Sequence, residues 1–340
     1  MIFFFKITES ITPKALCFQQ NETVLLKNSI RGVFMLVLLI CSLVIVVLAG
    51  SYYAYRIAFY APPKDRDKIQ DLKDPKYDPY RTEMKRIYQQ LHDRPYEQVS
   101  ILSGDGLQLT GRYYHVRDGA PLDIGFHGYR SHSLVDFSGG TELSFLMGHN
   151  VLLVDERAHG NSEGRTISFG ILERRDLLCW VDYAVQRFGI DVKILLYGVS
   201  MGGATVLMAS ELDLPRNVKG IIADCPYAKP LDVILHVGKS TAFPHWLIRP
   251  FAILAARIYG GFDLLETDAV RAVQNTKVPI LIIHGEADHY VPCEMSDLVS
   301  ANPAMVERHT FPGAAHGISY LVDTPRYHKI VKAFVQRVLE

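Results

Sequence analysis

Hydrophobic and polar positions divide this chain into stretches of different periodicity. From Gly32 to Tyr55 no charged residue occurs, and Val33 to Ala49 is almost wholly Leu, Ile, Val, Phe and Met. A run that is apolar all round predicts a helix with no water-facing side. As a helix, the 23 residues from Val33 to Tyr55 reach about 35 Å, enough to cross a hydrocarbon core of about 30 Å. The thirteen Val, Leu, Ile and Phe side chains in the run each favour insertion by roughly 0.3 to 0.6 kcal/mol, several kcal/mol together. Tyr52, Tyr53 and Tyr55 then supply an interfacial belt. The pattern predicts a single-pass anchor over residues 32–55 behind a tail of residues 1–31. A cleaved signal with Val47-Leu48-Ala49 at its cleavage site is the rival reading, although its apolar region exceeds the usual length of about 7 to 15 residues.

After the anchor the pattern is polar. Fourteen of the twenty-six residues from Ala61 to Arg86 are charged, with Pro62, Pro63, Pro75 and Pro79 among them, which predicts a solvated linker over residues 56–95. Beyond Tyr96, short β-branched runs alternate with helical spacings, the pattern of a mainly parallel sheet. Eight strands are expected: Val99–Leu102, Leu107–Tyr114, Leu122–Phe126, Asn150–Val154, Val192–Tyr197, Val218–Ala223, Pro279–Ile283 and Glu307–Phe311. Leu177, Val181, Ala184 and Phe188 share a helical face that Gly189 ends, and Thr324-Pro325 caps a last helix. The fifty residues from Tyr227 to Thr276 are too many for a simple connection and are expected to form a cap between strands six and seven. Its apolar residues suit either a lid over an apolar pocket or a helix buried on the sheet. The catalytic domain is thus expected over residues 96–340.

Composition narrows the classes. The chain has 340 residues, 49% of them hydrophobic, with thirty-six basic residues against thirty-six acidic ones. A core is within reach, and the basic excess that drives general binding to nucleic acid is missing. Five cysteines with no C-x-x-C pair do not make a disulfide framework. Basic residues flank the anchor on both sides, so charge does not orient it. An extracytoplasmic catalytic domain is expected because a lone early span often leaves the amino end inside.

The candidate chemistry begins at Gly198-Val199-Ser200-Met201-Gly202-Gly203, between a predicted strand and a predicted helix. A strand turning at once into a helix strains the middle residue, and flanking glycines remove side chains that would collide there. Ser200 is thereby exposed as a nucleophile, with the start of the next helix directing amides and partial positive charge at the same place. A serine hydroxyl needs a base, and the base needs a carboxylate. Asp288, in His284-Gly285-Glu286-Ala287-Asp288-His289, and His316, in Gly313-Ala314-Ala315-His316-Gly317, stand just beyond later strands. Glu286 and Asp224 compete for the acid role, and His309 and His328 for the base. His284-x-Glu286 with Pro292-Cys293 is a fragment of a zinc-deaminase pattern, but the second cysteine is missing. No catalytic metal and no other cofactor are expected.

The order Ser200, Asp288, His316 is that of the α/β hydrolases, and from Glu97 to Glu340 the chain resembles that superfamily. The resemblance extends to Gly125-Phe126-His127-Gly128-Tyr129 and to Asp155-Glu156-Arg157-Ala158-His159-Gly160-Asn161-Ser162-Glu163-Gly164. With its anchor, the chain is most similar to bacterial membrane-anchored hydrolases related to the esterase and serine-aminopeptidase-like branches. The resemblance implies an α/β-hydrolase fold with helices on both faces of the sheet, and an oxyanion hole formed by the backbone N–H groups of Tyr129 and Met201. The expected activity is hydrolysis of an ester, thioester or amide of a small acyl substrate through an acyl-enzyme. A serine aminopeptidase, an acyltransferase and a non-catalytic binding protein on the same fold are the alternatives.

Overall fold

The computed structural model describes residues 13–62, 75–239, 244–300 and 302–340, with side chains from residue 26 onward. The first twelve residues of the tail and the middle of the expected linker, residues 63–74, lie outside them. The chain divides into two compact units, Met1–Gly50 and Ser51–Glu340.

The first unit is helical, part of a helix that runs Pro13–Ala58. Its stretch Leu26–Ala58 is long and apolar enough to cross a membrane, with a window of mean hydropathy 3.2 that buries nothing against protein. Leu36, Leu39, Leu43 and Ile45 are all exposed. Apolar side chains exposed all round a helix are stable against lipid, not water.

The second unit is built on one eight-stranded sheet: β1 (Glu97–Leu102), β2 (Gln108–Tyr114), β3 (Leu122–Phe126), β4 (Asn150–Val154), β5 (Ile194–Val199), β6 (Val218–Asp224), β7 (Ile280–Gly285) and β8 (Val306–Phe311). The spatial order is β1-β2-β4-β3-β5-β6-β7-β8. β1 and β2 pair antiparallel and β2 pairs antiparallel with β4, while the other pairs are parallel. All eight expected strands are present, and the central ones are almost wholly buried because helices cover both faces. Alternate residues enter opposite layers, as a two-residue period demands: Leu152, Leu196 and Ile282 on one side, Leu153, Leu195 and Leu281 on the other.

The helix Glu173–Phe188 ends at Gly189, whose φ of 96° is open to glycine. The last helix, Thr324–Leu339, is capped one residue earlier than its sequence suggests. Asp323, not Thr324, accepts the Arg326 N–H, while the Thr324 hydroxyl donates to the Tyr320 carbonyl. Between β6 and β7 the insertion folds into the helices Pro230–Gly238, His245–Ala255 and Ala269–Gln274. Leu231, Val233, Ala252 and Ala255 enter the core layer that holds Ala204 and Leu207, while Trp246 stays exposed.

The segment expected to be a linker contributes to the second unit. Phe59 is fully buried, edge-on to Phe169 and Phe262 at centroid distances of 5.7 and 5.5 Å. Ile87 and Leu91, on the helix Arg81–His92, are buried in the layer that contains Leu134 and Phe137.

Candidate active site

β5 ends at Val199 and the helix Met201–Ala209 starts immediately after Ser200, which sits at φ 55° and ψ −112°. Such a conformation costs a non-glycine residue about 1 to 3 kcal/mol, so the surroundings must impose it. They do so by close packing. A Cβ on Gly198 would stand 2.2 Å from the Gly202 carbonyl oxygen, and one on Gly202 would stand 1.8 Å from that of Phe126. No larger residue fits either place. The Ser200 N–H donates to the Asp224 carbonyl at 2.8 Å, fixing the turn against β6.

Three residues from distant parts of the chain meet here. Ser200 Oγ lies 2.9 Å from His316 Nε2, and His316 Nδ1 lies 2.6 Å from Asp288 Oδ2. An ionised carboxylate only accepts, so Nδ1 carries the proton and Nε2 is left to accept from the serine hydroxyl. The other Asp288 oxygen accepts the N–H groups of Tyr290 and Val291, each at 2.9 Å. Burial raises the pKa of this carboxyl, but bonds from His284, His316 and Val291 outweigh it and hold the group well below the usual carboxylate range. His284, which the sequence showed only as part of a zinc-deaminase fragment, is buried at the end of β7. Its Nε2 lies 3.3 Å from Asp288 Oδ2 and 3.0 Å from the Val291 carbonyl, so the ring braces the aspartate from behind.

The competitors lie elsewhere. Glu286 accepts from the Thr310 hydroxyl at 2.6 Å. Asp224 meets Ser200 only through its backbone carbonyl; its carboxyl faces the Tyr327 hydroxyl at 3.1 Å and is pushed up to about 6 by burial. His309 pairs with Glu307 on β8, and His328 is on the last helix.

The turn His127-Gly128-Tyr129 lies against the serine, since a Cβ on Gly128 would come within 3.3 Å of Ser200 Cβ. Among the described residues neither the Tyr129 nor the Met201 N–H has a hydrogen-bond partner. Met201 is fully buried and Tyr129 half-buried, and N–H groups left unpaired there are available to a negatively charged atom beside Ser200. Two buried histidines hold the turn, their rings 4.7 Å apart. His127 Nε2 accepts the Glu156 N–H at 3.0 Å, leaving Nδ1–H to donate to the Gly128 carbonyl at 2.9 Å. His159 Nε2 accepts the Arg130 N–H at 3.0 Å, and its Nδ1–H donates to the Arg157 carbonyl at 2.9 Å. His159 is thus turn architecture, as its motif suggests.

A further support was hidden in the sequence. The Tyr129 hydroxyl donates to the Ala58 carbonyl at 2.8 Å, and the Arg130 guanidinium donates to the carbonyls of Ile57 and Tyr60 at 2.6 and 3.2 Å. The last carbonyls of a helix have no partner within it, and a cation there is favoured by the helix dipole. The chain leaving the apolar helix is therefore clamped to the loop that carries the Tyr129 N–H.

A doubly covered, mostly parallel sheet with a strained serine between β5 and its following helix defines an α/β hydrolase. Residues 169–340 match the prolyl oligopeptidase family (Peptidase_S9), and the chain belongs to that family. It is 26% identical to the Bacillus subtilis protein YqkD over 312 residues, which cover 89% of this chain and 97% of that one. It is 33% identical to the thiohydrolase aneE of Aspergillus aculeatus over 137 residues, 39% of this chain and 42% of that one. Among solved structures, the Pyrococcus furiosus esterase Pf2001 shares the fold with a TM-score of 0.61 at 23% identity, over 74% of this chain and 94% of the esterase. Est1E of Butyrivibrio proteoclasticus, solved with ferulic acid, matches with a TM-score of 0.56 at 23% identity, over 71% of this chain and 99% of its own.

Proposed function

We propose that this hydrolase is a membrane-tethered serine esterase working through an acyl-enzyme. The observation that carries the reading is the Ser200–His316–Asp288 chain of contacts at 2.9 and 2.6 Å. In this mechanism Ser200 Oγ attacks the ester carbonyl as His316 Nε2 takes its proton, and Asp288 stabilises the resulting imidazolium. The N–H groups of Tyr129 and Met201 stabilise the tetrahedral oxyanion. His316 then protonates the leaving alcohol, and water deacylates the enzyme by the same route. The chain's own residues supply every proton transfer.

Support for an acyl ester as substrate comes from the esterases that share the fold and from the apolar helix, which is suited to place the enzyme beside lipid-like substrates. The family match favours a second reading, cleavage of a peptide or aminoacyl amide, and the similarity to aneE a third, a thioester. Each shares the acyl-enzyme, so one experiment tests the common core. A fluorophosphonate probe should label the full-length protein, and Ser200→Ala should abolish labelling. His316→Ala should lower turnover by at least about a thousandfold while the fold persists. A folded wild-type protein that takes no label would make this a binding protein. Rates on acyl esters of graded chain length, thioesters and aminoacyl amides then rank the substrates. The expected extracytoplasmic placement of the catalytic unit is tested by its digestion with protease added to intact cells.

A further inference from the structure

Cys225 follows β6 and stands beside the proposed base. Its Sγ is 4.0 Å from His316 Nε2, the same nitrogen that lies 2.9 Å from Ser200 Oγ. Cys225, Asp288 and His316 each offer a ligand atom within 4.8 Å of the others. The esterase mechanism gives the thiol no task. Its position is nevertheless tightly set: the residue is buried at φ 45°, and its N–H donates to the Ile283 carbonyl at 2.8 Å.

These atoms form most of a coordination shell for a soft divalent cation. A tetrahedral zinc ion takes sulfur at about 2.3 Å and imidazole nitrogen at about 2.1 Å, which puts the two ligands about 3.6 Å apart. Closing the observed 4.0 Å to that distance takes a shift of about 0.4 Å, within the reach of a side-chain torsion. Water completes the shell, and the ion takes the place of the Ser200 hydroxyl now 2.9 Å from His316 Nε2. Asp288, bonded to Nδ1, becomes the outer carboxylate of a carboxylate–histidine–metal arrangement, which fixes the ring and strengthens it as a donor. Magnesium and calcium prefer oxygen and are poorly served by thiolate and imidazole.

We propose that His316 and Cys225 form an inhibitory binding site for a thiophilic divalent cation such as Zn²⁺ or Cd²⁺. The ion accepts the lone pair of His316 Nε2 and that of the Cys225 thiolate, whose proton passes to solvent; no electron is transferred. Ser200 then has no base to take its proton, so the occupied enzyme is inactive until the ion leaves. Inhibition rests on the proposed role of Ser200 and His316; binding does not, so the two are read separately.

The test uses the full-length protein in detergent, first treated with a chelator and then freed of it. Cd²⁺ titration should produce a thiolate-to-cadmium charge-transfer absorption that is absent from Cys225→Ala, the difference isolating this thiol from the other cysteines. Zn²⁺ should block ester hydrolysis and fluorophosphonate labelling, and chelator should restore both, whereas Mg²⁺ should do neither. In Cys225→Ala the Zn²⁺ concentration for half-inhibition should rise at least about tenfold, a loss found even for outer-shell partners of metal ligands. Should that variant fail to take the probe for want of folding, Cys225→Ser provides the comparison. Equal zinc sensitivity of a folded variant and the wild type, or identical cadmium spectra, would overturn the proposal. Cadmium absorption at Cys225 in a protein without esterase activity would support the site and sink the esterase reading instead.

Discussion

Ser200, Asp288 and His316 differ in how directly each was legible. Ser200 was the plainest, because its glycine neighbours answer to backbone geometry: Gly202 touches the Phe126 carbonyl, and only glycine satisfies that approach. Asp288 and His316 were readable through their place after strand ends. His284 was not, because a buried histidine that braces a carboxylate leaves the same local sequence as one that fills a core. Glu156 is another residue whose environment only the fold reveals. It is buried, and neither carboxyl oxygen has a hydrogen-bond partner. Burial first, then the nearby Glu173, Asp176 and Asp136, push its pKa well above the usual range. The folded protein therefore keeps a proton there that the unfolded chain releases above about pH 4.3. Stability must fall as pH rises from that value to the folded pKa, by up to about 1.4 kcal/mol per pH unit. Glu156→Gln removes this dependence, so its melting temperature relative to wild type should climb as the pH is raised from 5. Asp176 and Asp224, both raised to about 6, are common to the two proteins and cancel in the comparison. Parallel curves would show that Glu156 is ionised in the folded state.

Among the elements, the strands were legible because the sheet's middle is buried on both faces, so that runs such as Val151–Val154, Ile194–Tyr197 and Ile280–Ile283 are apolar without a break. The cap was legible only as an insertion. Its apolar residues serve either a lid or a buried helix, and it is the burial of Ala252 and Ala255 in the same core cluster as Leu207 that joins it to the sheet's own core layer. The coupling of the His127-Gly128-Tyr129 turn, the proposed oxyanion site, to the chain at Ala58 left no sequence signal, since the hydroxyl of one tyrosine meeting one carbonyl has no period. It makes a sharp prediction. Tyr129→Phe keeps the ring stacked on Phe169, 5.0 Å away, and deletes the hydroxyl's bond to Ala58 with its longer, 3.4 Å contact to the Ile57 carbonyl. The lost bond should cost about 0.5 to 1.5 kcal/mol of stability. In esterase assays kcat should fall by roughly threefold to tenfold with KM little changed, less than the 10²- to 10³-fold loss of an oxyanion donor outright. An unaltered kcat would mean that the turn is held by His127 and His159 alone.

Over the whole molecule, the chain just after the apolar helix is where sequence and structure part most. Charge density made the chain from residue 56 onward read as a tether, yet Phe59 is fully buried between Phe169 and Phe262. Phe59 stands in the short apolar run Ile57 to Ala61 just ahead of the charged residues, too few positions to show a period, so its burial could not be read. Two truncations separate the readings, since both remove the apolar run. A chain beginning at Ser51, the first residue of the second compact unit, retains Tyr55, Phe59 and the Ala58 carbonyl. It should leave the membrane fraction and still take the fluorophosphonate label. A chain beginning at Pro62 loses the buried Phe59 ring, a deletion that costs about 3 to 5 kcal/mol in a core. It also loses the strand-like bridge from Tyr60 to Thr166 and the acceptors of Tyr129 and Arg130. Typical domains have only about 5 to 15 kcal/mol of stability, so the shorter chain should melt at a much lower temperature and label weakly or not at all. Equal melting and labelling of the two chains would restore the tether, and would detach the oxyanion turn from the end of the apolar helix.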